Sequence, residues 1–139
     1  MSQENVEVAR RAYEAFNAGD ISGWLPMHSA DAEMHDLPTV PGAGVHRGHV
    51  EMRKWVEGII ETTEYIRFEP QRFIEADESV LVPVRASAKG RESGVPVEMS
   101  FFHVFEFSDG KISRLWSYVD EAEALEAAGL SEQDAHADS

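Results

Sequence analysis

An aspartate sits near the end of the run "ADAEMHDLP" (residues 30–38), and a lone histidine interrupts the apolar strand-like run "VPVEMSFFHVFEF" (residues 95–107). Carboxylate and imidazole are side chains that move protons near neutral pH. If both entered one apolar cavity, Asp36 could abstract a proton and His103 could donate to the oxygen that gains charge. Desolvation raises a carboxylate pKa and lowers that of an imidazole, while a nearby imidazolium draws a carboxylate back down. Such a pair works in the range where general acid-base catalysis is most effective, and needs no metal or organic cofactor.

Each residue also has a plainer reading. An Asp two residues before a Pro is often a turn residue that accepts backbone N–H bonds, and a His among phenylalanines is often a core residue bonded to a buried carbonyl or water. Tyr13, Trp24 and His28 are candidates for a pocket wall, with simple packing as the competing account. His46 and His49 flank "RG"; two imidazoles without a third ligand are a weak metal signal, and Gly48 fits a turn into the next helix. There is no nucleophile motif of hydrolases and no glycine-rich phosphate loop.

Several elements must hold these groups. Val6, Ala9, Tyr13 and Phe16 recur at helical spacing, and "NAGD" ends that helix with Gly19 at a left-handed position. Asp20 can cap a second short helix through Trp24, Leu25 and His28. Residues 32–37 read as a strand, "PTVPGAGVHRG" as a loop, and Met52, Trp55, Val56, Ile59 and Ile60 as the stripe of a third helix. Strands follow at about 65–76, 79–89, 95–108 and 111–119, then a last helix from Asp120 and Glu123 to Gly129. This order predicts an α+β fold with helices on one face of a mainly antiparallel sheet.

The period of two assigns faces. Val95, Val97, Met99, Phe101, His103, Phe105 and Phe107 share the helix-covered face, as do Val80, Val82, Val84, Ala86 and Ala88 in the strand before. The two alanines leave room opposite bulky residues, and room beside a lone polar group is what a ligand pocket requires. Phe102, Val104, Trp116 and Tyr118 make the other face apolar, which predicts a homodimer packed sheet to sheet; a monomer is the alternative if Glu98, Glu106 and Arg114 dilute the patch. In the first strand, Ala32, Met34 and Asp36 oppose Glu33, His35 and Leu37, and alternation alone cannot choose the inner set.

The chain has 139 residues, 42% hydrophobic and 27% charged, which fits one globular domain. Its formal charge of -14 argues against nucleic acid as a partner. No apolar run reaches membrane-span length and no secretory signal is evident, so a cytoplasmic location with no membrane partner is expected. With no cysteine there is no disulfide framework or thiolate chemistry.

The segments "RRAYEAFNAGD", "DAEMHD", "HRGHVEMRKW", "VFEFSDGKISRL" and "YVDEAEALEAAGL" resemble, in order, the SnoaL-like and ketosteroid-isomerase-like branch of the nuclear transport factor two-like superfamily. The resemblance runs from about residue 4 to 130, and the chain reads as one domain over residues 1–130 followed by a polar tail at 131–139. It implies a cone-shaped curved antiparallel sheet wrapped around helices, with an internal pocket and usually a dimer through the sheet. Members include steroid isomerases, polyketide cyclases, epoxide hydrolases and dehydratases, and many that only bind. By the isomerase pattern Asp36 is the base, which turns Ala32, Met34 and Asp36 inward. His103 stands where the isomerases carry a second acid. Their tyrosine position falls on Ala12, with Tyr13 one residue away. With the inner faces read above, the candidate ligand-binding set is Tyr13, Trp24, His28, Met34, Val84, Ala86, Met99, Phe101 and Phe105.

Three functions compete on this evidence. One is a cofactor-free enzyme acting on a small apolar carbonyl compound by isomerisation, cyclisation or dehydration. Another is a non-catalytic protein binding an apolar metabolite. The last is a dimeric interaction domain whose cone is filled by its own side chains.

Overall fold

The computed structural model of the protein describes residues 2–37 and 44–131. The tail from 132 onward and most of the Pro- and Gly-rich loop, residues 38–43, lie outside the described residues. Helix α1 (Ser2–Asn17) buries Ala9, Ala12 and Tyr13 on one face, as their spacing requires. The chain leaves it through Gly19 at φ 72°. Asp20 then caps α2 (Ile21–Trp24), its carboxylate accepting from the Gly23 N–H at 3.0 Å.

The expected helix does not reach His28. Pro26 has no N–H to return to the ladder, so α2 gives way to a 3-10 turn, Leu25–Met27, and His28 opens strand β1 (His28–His35). Part of the expected loop is also a strand: β2 (Val45–Arg47) pairs antiparallel with β1, Met34 opposite His46. Helix α3 (Gly48–Thr62) follows and buries Met52 and Val56.

The remaining strands are β3 (Thr63–Pro70), β4 (Ile74–Glu75), β5 (Ser79–Gly90), β6 (Pro96–Ser108) and β7 (Lys111–Tyr118). They form one curved, unclosed sheet in the order β2-β1-β7-β6-β5-β3, with β4 on β5. Its pairings are antiparallel except β1 with β7. The main core lies between the concave face and α1, α2 and α3.

One helix departs from the expected single-sided arrangement. Helix α4 (Glu121–Ala128) is capped by Asp120 and ends at Gly129, and it packs on the convex face. Ala124, Leu125 and Ala128 bury Leu81 and Val104, with Phe102, Trp116 and Tyr118 around them. The apolar outer face assigned by sequence to a partner subunit is thus in part covered by the chain itself.

The inner set of β6 also divides. Phe101, His103 and Phe105 are buried, whereas Val95, Val97 and Met99 are exposed. Strand β7 stops at Tyr118 opposite Phe102, so the first residues of β6 project past it as a rim.

Candidate active site

Asp36 follows the last residue of β1, its N–H donating to the Gly44 carbonyl at 3.1 Å. Pairing with β2 settles the face that alternation left open. His46, opposite Met34, donates from Nε2 to Asp36 Oδ2 at 2.9 Å, and both side chains are mostly covered. A carboxylate accepts only, so the proton lies on His46 Nε2. Of the two histidines weighed as a metal signal, His46 holds Asp36, while His49 Nε2 donates to the His28 carbonyl at 3.1 Å. His35 lies on the opposite side of β1, stacked on Trp116 with centroids 3.7 Å apart and bonded to Glu33.

His103 sits in β6 between Val82 of β5 and Ser117 of β7, only 5% exposed. Its Nδ1 is 2.7 Å from the Tyr13 hydroxyl, a contact between α1 and the sheet floor. Phe68, Phe101 and Phe105 present edge-on rings at 5.7, 4.9 and 5.7 Å. Burial in this aromatic nest pushes the His103 pKa down to about 3, and burial raises that of the Tyr13 phenol. Both groups are neutral near pH 7.

His28 is the second buried imidazole, 1% exposed. Its Nδ1–H donates to the Trp24 carbonyl at 3.0 Å, and the two rings lie 4.5 Å apart. Burial lowers its pKa to about 4, against the opposing pull of the Trp24 carbonyl. Its Nε2 is sealed without a partner among the described residues.

These groups line a cavity of about 440 Å³ inside the cone. Of the residues expected there, Tyr13, Trp24, His28, Met34, Asp36, Ala86, Met99, Phe101, His103 and Phe105 line it. Val84 does not: it is 2% exposed and packed in the core. Ala86 and Ala88 face Met99 and Val97 across the β5–β6 pairing, which leaves the mouth roomy. Met34, Phe101 and Phe105 form walls and do not fill the cone.

Sequence reasoning missed several wall residues, including Trp55, Phe68, Ser117 and above all His46. Had "VHR" been read as a strand beside "EMH", His46 would have been placed with Asp36.

Comparison with known proteins gives the family and the fold. Residues 9–115 match the family model of the SnoaL-like domain. The chain belongs to the SnoaL-like family. This SnoaL-like chain has the fold of the nuclear transport factor two-like superfamily. It is similar to an NTF2-like protein from Burkholderia xenovorans LB400, at 28% identity and TM-score 0.75, covering 92% of this chain and 97% of that one. It is also similar to an NTF2-like protein of unknown function from Burkholderia pseudomallei K96243, at 24% identity and TM-score 0.76, covering 90% and 97%. The fold extends to SalBIII, an epoxide hydrolase/cyclase-like enzyme in pyran ring formation in the polyether salinomycin, at 19% identity and TM-score 0.73, covering 86% and 93%. No curated protein matches the chain. No helix among the described residues is long and apolar enough to cross a membrane.

Proposed function

We propose that this SnoaL-like protein is a cofactor-independent enzyme of the isomerase, cyclase or dehydratase kind, acting on a small, mostly apolar carbonyl compound with Asp36 as general base. The observation that carries this reading is that Asp36 and His103, remote in sequence, line one apolar cavity. An epoxide hydrolase/cyclase-like enzyme shares the fold, a likeness of fold that supplies no site residue to this reading.

The chemistry follows from the partners. His46 occupies Asp36 Oδ2 and fixes the carboxylate, leaving Oδ1 to take a proton from the carbon beside a carbonyl. The C–H electron pair moves into the carbonyl, and the oxygen that gains charge accepts a hydrogen bond from His103. Protonated Asp36 then returns that proton: to the γ-carbon of a dienolate formed from a β,γ-unsaturated ketone (isomerisation), to the alkoxide formed when the enolate attacks a second carbonyl (cyclisation), or to a departing β-hydroxyl that leaves as water (dehydration). A positioned base contributes about 10²–10⁴-fold in rate and an oxyanion donor about 10²–10³-fold.

The test is solvent-deuterium exchange into a panel of ketones and enones, comparing wild type with Asp36→Asn. The reading expects enzyme-dependent exchange in wild type, lost in the variant. Equal background exchange across the panel, with ligand affinity intact in both proteins, would make the cavity a binding site only.

A further inference from the structure

We infer that Tyr13 is a positioning residue that holds His103 as the neutral Nε2–H tautomer, so that the cavity wall offers a fixed donor to a ligand oxygen that only accepts, a carbonyl or its enolate. The inference deepens the reading of His103 given above and rests on it.

The geometry comes from a proton count. The Tyr13 hydroxyl has one hydrogen-bond partner among the described residues, His103 Nδ1 at 2.7 Å. Around it stand aromatic rings, Phe73 at 6.2 Å and Phe105 at 5.6 Å, which offer no strong acceptor. If Nδ1 carried the imidazole proton, it would donate to the phenol oxygen, and the donor left over would be the phenol O–H beside the rings of Phe73 and Phe105 instead of an Nε2–H on the cavity. A phenol O–H is the stronger donor and an unprotonated imidazole nitrogen the stronger acceptor, so the bond runs from Tyr13 to Nδ1. With the phenol donating, one bond satisfies both atoms, and the single proton of a neutral imidazole must lie on Nε2. The imidazolium, the remaining alternative, is disfavoured by burial on every side.

Nε2 has the freedom this role needs. It finds no protein partner among the described residues, yet it is not one of the sealed orphan atoms, which are His28 Nε2 and Ser29 Oγ. It therefore opens onto the cavity that His103 lines. The two buried imidazoles thus have opposite tautomers: Trp24 pins the proton of His28 on Nδ1, and Tyr13 pins that of His103 on Nε2. A neutral donor held in an apolar wall favours an oxygen acquiring negative charge, because it needs no reorganisation as the charge develops.

The test is long-range ¹H–¹⁵N correlation of the imidazole nitrogens, with 1-indanone as the added probe. Wild-type His103 should show a pyridine-type Nδ1 and a pyrrole-type Nε2, and the Nε2 proton should shift downfield when 1-indanone is added. Tyr13→Phe should populate both tautomers and lose that shift. Incorporating 3-fluorotyrosine, a stronger donor that keeps the bond, should move the Nδ1 resonance even if Tyr13→Phe fails to fold. A protonated Nδ1 in wild type, or a tautomer indifferent to Tyr13→Phe and to fluorination, would overturn the inference. Absence of Asp36-dependent deuterium exchange is a separate readout that bears on the proposed reaction and leaves the tautomer result standing.

Discussion

Acidification should destabilise this protein through its two buried imidazoles. Folded, His28 titrates at about 4 and His103 at about 3, against about 6.5 in an unfolded chain. Both folded values are depressed, so above about pH 6.5 neither costs stability, whereas below it the unfolded chain binds protons that the native state refuses. Between pH 7.5 and 5 each histidine therefore removes about 2 kcal/mol, about 4 kcal/mol together, a large share of the roughly 5–15 kcal/mol typical of a domain. Urea unfolding followed by tryptophan fluorescence at pH 7.5, 6 and 5 measures the loss. His103→Gln keeps an acceptor for Tyr13 but cannot titrate, so its loss across that range should fall to about 2 kcal/mol, whatever its stability at pH 7.5. If the variant loses as much as wild type, the burial argument for His103 is wrong.

Other perturbations have equally definite outcomes. His46→Ala should leave the fold intact and lower any Asp36-dependent exchange by about tenfold, since the carboxylate loses the charge-assisted bond that orients it; the exchange rate per enzyme molecule reads this. Leu125→Ala should cost about 2–4 kcal/mol in urea unfolding, because Leu125 anchors α4 on the convex face. Gly129→Ala should cost about 1–2 kcal/mol in thermal unfolding, because the residue ends α4 at φ 75°.

Much of the architecture was legible because strong periodicity needs no tertiary information. The run from Val95 to Phe107 alternates so regularly that its inner face, and His103 within it, could be read directly. The alanines of β5 likewise marked where space would remain. Other features depend on contacts that one segment cannot announce. The segment that ends at Asp36 has balanced alternation, and its face was decided where β1 pairs with a three-residue strand too short to show a period. His46 escaped for the same reason. The Tyr13–His103 bond joins α1 to the sheet floor, so neither residue's neighbours in sequence signal it. Helix α4 carries Ala124, Leu125 and Ala128 on one side, but its short stripe did not reveal which sheet face it would cover. Val84 shares the alternation of Ala86, and only packing density separates core from cavity wall.

The most direct check of the central claim is a crystal structure of the Asp36→Asn protein with a ketone that wild type exchanges. The account predicts the ketone inside the cone, its carbonyl oxygen at hydrogen-bond distance from His103 Nε2 and an α-carbon facing the substituted side chain at position 36. A ketone bound elsewhere, or one inside the cone with its oxygen turned away from His103, would contradict it.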